Sequence, residues 1–365
     1  KFKIAFFLTG RGALYNLLKS LNLKEGDEVL VQAFTCEAVI LPIIALNLKP
    51  IYIDIESQSF SMNPIDLEKK ITKRSKVLIL QHTFGIKPAK RDTLLSFIKK
   101  HKLVLIEDIA HTIEISNIKY QKSKIANHFF LLSFGRSKSL SSVFGGAIVG
   151  NNKKVMEKLE KLALKQPSYS FIINCLLYKP IVMIIKSTYN ILIGKLIHKI
   201  VSKTNLLIPE ITPVEKKGIF NFIFDKAYPN ALAILLLHQF KKNKKVQENR
   251  ARICSFYLKE FSNCQFPISK QISNIKYRIS NIPLIRFPVL VESREQIIKK
   301  LAKYNIFLGK WYEQVVAPKA LDLKRVGYKQ GSCPAAEKIC QQIINLPTNV
   351  KIKEAEEIIK HLFIR

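Results

Sequence analysis

The first 150 residues alternate short apolar runs with amphipathic stretches, and this alternation restricts the folds open to the chain more than any other feature. Apolar runs of roughly 4–8 residues suit buried strands, whereas amphipathic stretches of roughly 10 or more suit helices. Alternating strands and helices indicate an α/β fold, with a mostly parallel central sheet flanked by helices. We predict strands at 28–32, 50–54, 77–81, 103–106 and 129–134, and helices at 13–21, 37–46 and 91–101.

The chain has 365 residues and a mass of 41.9 kDa, which is more than one hydrophobic core usually serves. We therefore predict a large domain over residues 1–240 and a smaller C-terminal α+β domain over 241–365. A long helix is expected after Pro229, with its apolar first half buried between domains or subunits. The smaller domain should contain a strand at 284–290 and helices near 295–304 and 335–345.

The formal charge of +33 arises from 60 Lys and Arg against 27 Asp and Glu. Such an excess can attract nucleic acid, a membrane surface or an anionic substrate. The sequence has no zinc-finger spacing, aromatic RNA-binding motif or arginine-rich arm, so we predict no nucleic-acid partner.

No acidic residue occurs between Glu160 and Glu210, although lysines are spread through this apolar stretch. We predict a basic, apolar helical insert at about 166–212. Its residues 168–209 are expected to make peripheral contact with an anionic membrane. The alternative is an ordinary helical excursion that packs on the protein or on its dimer mate.

The six cysteines are far apart and include no C-x-x-C pair, which argues against a metal site or a disulfide framework. We predict no bound metal and a cytoplasmic protein. The apolar opening, residues 1–8, is interpreted as part of the mature fold, because no small-residue cleavage site follows it.

Lys138 stands thirty residues after Asp108, which lies near the end of the predicted strand 103–106. Ser133 precedes this lysine by five residues, and Gly145-Gly146 follow it. A lysine amine can form a Schiff base with pyridoxal phosphate (PLP), and a carboxylate can keep the pyridine nitrogen of this cofactor protonated. The spacing therefore predicts a PLP site.

Further segments, in the same order along nearly the whole chain, resemble the sugar aminotransferases of the DegT/StrS family, which are fold type I PLP-dependent enzymes. Any one of these segments is a weak signal, but together they are specific. They are Thr9-Gly10-Arg11-Gly12-Ala13-Leu14, Gly26-Asp27-Glu28-Val29, Phe34-Thr35, Pro50-Ile51-Tyr52-Ile53-Asp54-Ile55, His82-Thr83-Phe84-Gly85, Ile106-Glu107-Asp108-Ile109-Ala110-His111, Ser133-Phe134 with Lys138, Gly145-Gly146 and Asn345-Leu346-Pro347-Thr348.

The resemblance implies catalytic roles for three residues. Lys138 would be the Schiff base lysine and would also carry the proton between donor and cofactor. Asp108 would form an ion pair with the pyridinium nitrogen, and His111 would lie beside the cofactor ring. Each has an ordinary structural alternative: a surface lysine, a helix cap and a hydrogen-bonded histidine.

The resemblance also implies a phosphate-binding turn at Gly10, Arg11 and Gly12, assisted by Ser133, because free amides at a helix start bind anions. Arg11 replaces the usual small hydroxyl residue. Either its guanidinium contacts the phosphate, or the amides act without a side-chain donor.

Two further cofactor-binding positions depart from the family pattern. Cys36 stands where an aromatic residue usually stacks on the cofactor, and a thiol offers less area and no π face. Asn230 is the candidate for a residue that reaches the neighbouring subunit's phosphate, although the usual Asn-Tyr-Arg-Met loop is absent there.

The predicted activity is a PLP-dependent aminotransferase that converts a nucleotide-linked keto-sugar to an amino-sugar. The nitrogen would come from an amino acid, with glutamate as the expected donor, and the site would be completed in a homodimer. One alternative is a PLP-dependent sugar dehydratase of the same fold, in which histidine replaces the lysine; Lys138 argues against it. Another is a catalytically idle, membrane-associated scaffold, which the departures at Arg11 and Cys36 would suit.

Cys333 could suggest the catalytic thiol of a cysteine desulfurase. Those enzymes place a histidine directly before the Schiff base lysine, whereas Ser137 stands there in this chain. We interpret Ser332 or Cys333 as a helix cap, with Pro334 in the first turn of the helix that follows.

Overall fold

A computed structural model describes residues 2–112, 125–203, 207–263 and 282–363. Cys264 and positions 204–206 of the predicted insert lie outside these residues. The strands are β1 Lys3–Phe7, β2 Glu28–Gln32, β3 Thr35–Cys36, β4 Lys49–Ile53, β5 Ile55–Glu56, β6 Ser61–Met62, β7 Ser75–Gln81, β8 Val104–Asp108, β9 His128–Ser133, β10 Gly146–Gly150, β11 Arg286–Leu290, β12 Val316–Ala317 and β13 Ile343–Pro347.

Helices cover both the sheet-forming region and the C-terminal part. The α-helices are Gly10–Ser20, Glu37–Ile44, Pro64–Lys70, Arg91–Lys100, Lys153–Glu160, Tyr169–Thr188, Ile193–Lys203, Pro213–Lys216, Asn230–Asn263, Arg294–Ala302, Pro334–Gln342 and Ile352–Phe363. Short 3₁₀ turns occur at Thr83–Gly85, Tyr189–Ile191 and Phe222–Phe224.

Seven strands form one sheet in the order β1-β10-β9-β8-β7-β2-β4. The strands from β9 to β4 are parallel, whereas β10 pairs antiparallel with both β9 and β1. The predicted α/β fold with a mostly parallel sheet is therefore confirmed. Every element predicted between residues 13 and 134 is present, with boundaries that differ by at most three residues. Strands β1 and β10 were not predicted.

The central strands are buried because helices cover both faces of the sheet. Residues of β2, β7 and β8 are almost entirely buried, as the apolar runs Val29-Leu30-Val31 and Val77-Leu78-Ile79-Leu80 require. Because these strands are buried, their ends have fixed positions in the sheet. The polar residues that follow them are therefore fixed in position too.

The predicted C-terminal end of one helix was wrong. The helix expected to reach Asn345 ends at Gln342, and the next five residues form β13, which pairs antiparallel with β11. The residues Ile343 and Ile344 fit the buried face of either element, and pairing with β11 decides in favour of a strand. The predicted strand 284–290 corresponds to β11.

The helix Pro334–Gln342 begins where expected, but its cap is not the predicted side chain. Cys333 occupies the N-cap position without a side-chain hydrogen bond to the helix. Instead, the carboxylate of Asp54 accepts from the amides of Ala335 at 3.0 Å and Ala336 at 2.9 Å. Asp54 follows β4, so one buried carboxylate links the central sheet to the C-terminal part.

The predicted boundary between residues 240 and 241 falls inside one continuous helix, Asn230–Asn263. Buried residues of both parts also belong to one hydrophobic cluster, as Leu14, Ile79, Tyr257 and Leu346 illustrate. The division of the chain into two domains stays a prediction.

The predicted insert contains two helices, Tyr169–Thr188 and Ile193–Lys203, which we call the surface helices. Among the described residues, Tyr169–Thr188 is the one helix with the length and composition to cross a membrane, and only 11% of its most apolar window is buried. Length and composition alone are weak evidence for a membrane span.

We expect Asp54→Ala to lower the free energy of unfolding by about 2 kcal/mol, because two buried helix amides would lose their acceptor. Urea unfolding measures this loss. The matched control is Asp322→Ala, which removes an exposed carboxylate that accepts from the amide of Lys324 and should change stability by less than about 0.5 kcal/mol. Equal losses in both variants would show that Asp54 does not cap the helix.

Candidate active site

A cleft opens at the edge of the sheet where β1, β8 and β9 end. Its empty space is about 1120 Å³, part of which is open to solvent. These three strands run in the same direction, so the residues that follow them meet at one edge. Seven of the nine predicted site residues line this cleft: Gly10, Arg11, Cys36, Asp108, His111, Ser133 and Lys138.

Lys138 lies in a turn directly after β9, where its amide donates to the carbonyl of Gly135 at 3.1 Å. The side chain is half-buried, and its Nζ lies 5.8 Å from the ring centre of Trp311. The turn therefore directs the amine into the cleft, where a bound molecule can reach it.

Asp108 is the last residue of β8 and is only 5% exposed. One carboxylate oxygen accepts from the amide of Ala110 at 3.0 Å. Burial raises the pKa of Asp108, although the Ala110 amide and the charges of Lys138 and His82 oppose this shift. A buried carboxylate in this position gains from a cationic partner such as a protonated ring nitrogen.

His111 is packed between aromatic rings on the wall of the cleft. Its ring stacks on Phe84 and Trp311, with ring centres 6.2 and 6.0 Å away. The Nδ1 atom accepts from the amide of Phe84 at 3.1 Å, so a neutral ring carries its proton on Nε2, which lies 3.4 Å from the hydroxyl of Tyr312. Burial, together with the charges of Lys138 and Arg286, holds the pKa of His111 well below its usual value. His111 is therefore a neutral hydrogen-bonded residue that also faces the cleft.

The predicted phosphate turn is the start of helix Gly10–Ser20. Thr9 caps this helix, and its hydroxyl accepts from the amide of Gly12 at 3.0 Å. Gly10 and Arg11 line the cleft at the helix start, where amides lack intrahelical acceptors. Gly12 does not line the cleft: a Cβ there would lie 2.8 Å from the carbonyl of Phe224.

The space beside Gly10 is small. A Cβ on Gly10 would lie 3.3 Å from the hydroxyl of Ser133, which ends β9. A Cβ on Gly146 would lie 2.5 Å from the amide nitrogen of Gly10, so only glycine allows this approach of β10 to the turn. Helix amides and a serine hydroxyl together form a suitable cradle for a phosphate.

The guanidinium of Arg11 is engaged by protein groups. It forms an ion pair with Glu215, lies 3.8 Å from a carboxylate oxygen of Glu37, and donates to the carbonyl of Glu210 at 2.7 Å. Of the two roles predicted for the turn, this arrangement favours phosphate binding by the amides, because Arg11 already has carboxylate partners.

Cys36 ends β3 and lines the cleft next to Glu37, the first residue of a helix. Burial raises the pKa of its thiol to about 12, and the neighbouring charge of Glu37 adds to the shift. The thiol is therefore neutral and packs as a small apolar group beside the cofactor position.

Asn230 lies apart from the cleft in a single chain. It is the exposed first residue of the helix Asn230–Asn263 and is not among the residues of the cleft wall. Its predicted contact with a neighbouring subunit's phosphate stays a prediction.

A part of the cleft that sequence reasoning missed comes from residues 207–215, which we call the strap. Glu210 and Ile211 of the strap line the cleft. The carboxylate of Glu210 accepts from the hydroxyl of Ser137 at 3.0 Å, and its carbonyl accepts from Arg11. One strap residue thus joins the phosphate turn to the lysine turn.

A second strap contact reaches the lysine turn through Arg136. Its guanidinium donates to the carbonyl of Ile208 and lies 4.1 Å from the ring centre of Tyr178 in the first surface helix. Glu210 is the first acidic residue after the acid-free stretch that follows Glu160. This isolated carboxylate is the sequence feature that could have marked the strap as part of the site.

Trp311 and Tyr312 also line the cleft without having been predicted. Both residues belong to the C-terminal part of the chain, far from Lys138 in sequence. Trp311 is the one tryptophan of the chain, which is a compositional signal that could have drawn attention to it.

The side chains of the cleft fit PLP. Helix amides and Ser133 suit the phosphate, the amine of Lys138 suits the aldehyde carbon, and the buried carboxylate of Asp108 suits a protonated ring nitrogen. The described residues contain no cluster of histidine, cysteine and acidic side chains that could hold a metal ion.

The sheet and this site together define a fold type I PLP-dependent transferase. A family model described as the DegT/DnrJ/EryC1/StrS aminotransferase family matches residues 6–168 and 227–363. The chain belongs to this family of sugar aminotransferases and is a PLP-dependent aminotransferase. The segment 169–226, which holds the surface helices and the strap, lies outside the match.

Individual proteins and solved structures are also similar to this chain. An uncharacterized protein of Methanocaldococcus jannaschii is 26% identical over 94% of this chain and 80% of its own length. The GDP-perosamine synthase of Vibrio cholerae is 29% identical over 42% of this chain and 41% of its own. The crystal structure of NtdA from Bacillus subtilis, with the cofactor PMP bound, has a TM-score of 0.67 at 20% identity and covers 99% of this chain and 72% of its own.

Glu37 should make stability depend on pH. Burial raises the pKa of Glu37 to about 7; Glu215 adds to this shift, while Arg11 opposes it. The unfolded carboxyl titrates near 4.5, so the folded protein holds more protons between pH 4.5 and 7 and loses stability as pH rises through that window. Glu37→Gln lacks this loss, so its melting temperature relative to the wild type should rise by about a few degrees from pH 5 to pH 8.

Differential scanning fluorimetry at both pH values measures this difference. Glu68→Gln is the matched control, because Glu68 is exposed on the helix Pro64–Lys70. The control should track the wild type at both pH values. A Glu37→Gln difference that is the same at pH 5 and pH 8 would contradict the assignment.

Proposed function

We propose that this aminotransferase converts the keto group of a nucleotide-linked sugar to an amine, with glutamate as the nitrogen donor. The observation that carries the proposal is that Lys138 and Asp108 line the same cleft as the amides of the phosphate turn. These groups correspond to the three parts of PLP that a protein must hold. Bound PLP supplies an electron sink that stabilises negative charge on a substrate carbon.

Each residue has a separate task in this proposal. The amine of Lys138 attaches the cofactor and then carries the proton that moves between donor and cofactor carbons. Asp108 keeps the ring nitrogen protonated, and its burial strengthens that ion pair. His111 is neutral, so it can position the ring through its fixed orientation without adding a second positive charge near Lys138.

Support for a nucleotide-linked sugar comes from the relatives and from the charge of the chain. The relatives that the chain resembles include a GDP-perosamine synthase of Vibrio cholerae. The net charge of +33 favours encounter with a diphosphate. The dehydratase alternative requires a histidine at the position that Lys138 occupies.

We also propose a cytoplasmic homodimer. Ile234, Leu237 and Phe240, on the helix Asn230–Asn263, are more than half exposed in the single chain. Apolar side chains of this kind on one helix suit an interface between subunits. Asn230 begins the same helix, so a dimer formed there would bring it towards the partner's site.

The aminotransferase proposal is tested with purified protein incubated with PLP. The wild type should develop an absorbance band near the visible edge that disappears on borohydride treatment, and it should release 2-oxoglutarate from glutamate when a nucleotide-linked keto-sugar is present. Lys138→Ala should lose the band and reduce the rate at least about 10²–10⁴-fold, since it lacks both the attachment point and the proton carrier.

Lys154→Ala is the matched control, because Lys154 is exposed on the helix Lys153–Glu160 and does not line the cleft. It should keep the band and most of the activity. A wild-type protein that stays colourless after incubation with PLP would end the proposal.

We propose that the surface helices bind an anionic membrane surface peripherally. Leu192, Met183 and Leu196 are at least 60% exposed. The lysines at 179, 186, 195 and 199 are all exposed, and the described part of the insert has no acidic residue before the strap. Exposed apolar side chains edged by lysines suit an anionic bilayer.

Flotation with anionic vesicles tests this proposal. The wild type should float, whereas a variant with Lys179, Lys186, Lys195 and Lys199 changed to Glu should remain at the bottom of the gradient. The matched control changes Lys241, Lys242, Lys244 and Lys245 to Glu on the helix Asn230–Asn263; these lysines are exposed too, and this variant should still float. Equal flotation of the two variants would reject the surface helices as the anchor.

A further inference from the structure

Lys138 lies in a stretch of chain that has no regular secondary structure. Residues 134–145, between β9 and β10, are all described and contain no helix or strand. The amide of Lys138 donates to the carbonyl of Gly135 at 3.1 Å, and this bond lies within the turn itself. The position of the amine therefore depends on how the side chains around Lys138 are attached to other segments.

The residues around Lys138 make side-chain hydrogen bonds to two other segments. The hydroxyl of Ser139 donates to the carbonyl of His111 at 3.2 Å. The guanidinium of Arg136 donates to the carbonyl of Ile208, which belongs to the strap. The lysine turn is therefore attached both to the segment after β8 and to the strap.

The attachment nearest in sequence to Lys138 is made by Ser137, directly before it. The hydroxyl of Ser137 donates to the carboxylate of Glu210 at 3.0 Å. A Cβ placed on Gly135 would lie 3.1 Å from a carboxylate oxygen of Glu210 and 3.7 Å from Cγ of Lys138, so both groups lie close to the same point in the cleft wall. A hydroxyl that donates to a carboxylate makes a charge-assisted bond, which is stronger than a bond between neutral groups.

The strap itself is anchored by other groups than the Glu210 carboxylate. The carbonyl of Glu210 accepts from Arg11 at 2.7 Å, and Thr212 and Glu215 form a capping box at the start of the next helix. These bonds keep the strap attached without the side chain of Glu210. Loss of that side chain would instead remove the bond at Ser137, and its effect should appear in the lysine turn.

We propose that Glu210 is a positioning residue for amino transfer: through Ser137 it holds the lysine turn so that the amine of Lys138 reaches the cofactor and the donor. The inference rests on the roles proposed for Lys138. A proton moves only between groups within hydrogen-bond reach, so a displaced amine slows the reaction while donor binding is kept. Accepting the Ser137 hydrogen bond is sufficient for this task, so a neutral acceptor can replace the carboxylate.

The attachment of PLP tests the inference without turnover. Stopped-flow absorbance follows the growth of the band after mixing with PLP, and mass spectrometry after borohydride reduction identifies the modified lysine. In the wild type this lysine should be Lys138. In Glu210→Ala attachment to Lys138 should be about 10-fold slower, as expected for the loss of one charge-assisted hydrogen bond. Glu210→Gln keeps an acceptor and should stay within about 3-fold of the wild type.

Steady-state kinetics with glutamate and a nucleotide-linked keto-sugar give the second readout. Glu210→Ala should lower kcat about 10-fold and leave the KM for glutamate within about 3-fold, because the amine that moves the proton is displaced and the donor site is intact. Ser137→Ala should show the same losses. The double variant should be no slower than either single variant, since both changes remove one and the same hydrogen bond.

The matched control is Glu248→Ala, which removes an exposed carboxylate from the helix Asn230–Asn263. It should attach PLP and turn over at wild-type rates. Circular dichroism checks that each variant is folded. Should Glu210→Ala fail to fold, Ser137→Ala gives the same test, because it breaks the bond from the other side.

Wild-type rates in a folded Glu210→Ala or Ser137→Ala would overturn the inference, and so would losses that add in the double variant. Equal losses in Glu210→Gln and Glu210→Ala would overturn it too, because the charge and not the hydrogen bond would then matter. The proposed function fails in a different way: the wild type itself would stay colourless with PLP, or would form the band and release no 2-oxoglutarate.

Discussion

The buried carboxylate of Glu107 joins the neighbouring strands β7, β8 and β9, and the last two of these end at the cleft. It is fully buried and accepts from His82 just after β7, from Arg91, and from His128 at the start of β9. Burial alone would raise its pKa, but hydrogen bonds from His128 and His82 and the nearby Arg91 hold it well below its usual value. Successive strand residues face opposite sides of the sheet, so fixing Glu107 also fixes Asp108, which faces the cleft.

The sheet holds the segments that build the site in fixed positions relative to one another. The phosphate turn follows β1, and the lysine turn follows β9. A cofactor that spans both turns needs their separation to be fixed, because a small displacement at either end misplaces the reacting atoms. The parallel register of the strands sets this separation, and the strap adds a direct connection through Glu210.

The unusual residue of the phosphate turn, Arg11, contacts the segment that lies outside the family match. Arg11 replaces a small hydroxyl residue, and its partner Glu215 comes from the segment outside the family match. Glu37 lies on the other side of the same guanidinium. Arg11 is buried, and a buried guanidinium without a counter-anion is costly, so carboxylates of this kind stabilise it. The altered turn and the strap are therefore parts of one local arrangement, and they place Glu210 against the lysine turn.

The sequence by itself determined the α/β class, the strands β8 and β9 that end at the cleft, and seven of the residues that line the cleft. It did not predict β1, which leads into the phosphate turn. Local patterns suffice for the strands, because apolar runs specify buried strands and polar residues at their ends meet at one edge of a parallel sheet. The roles of Arg11, Cys36 and His111 came from the family resemblance, which did not reveal the partners of Arg11.

Tertiary structure alone decided the features that depend on contacts between distant segments. Pairing with β11 made residues 343–347 a strand, and Asp54 caps a helix by accepting from Ala335, 281 residues further along the chain. Trp311 and Glu210 line the cleft although they lie far from Lys138 in sequence. The spacing of apolar residues within one helix or strand does not predict such contacts, because they arise when distant elements pack on one another.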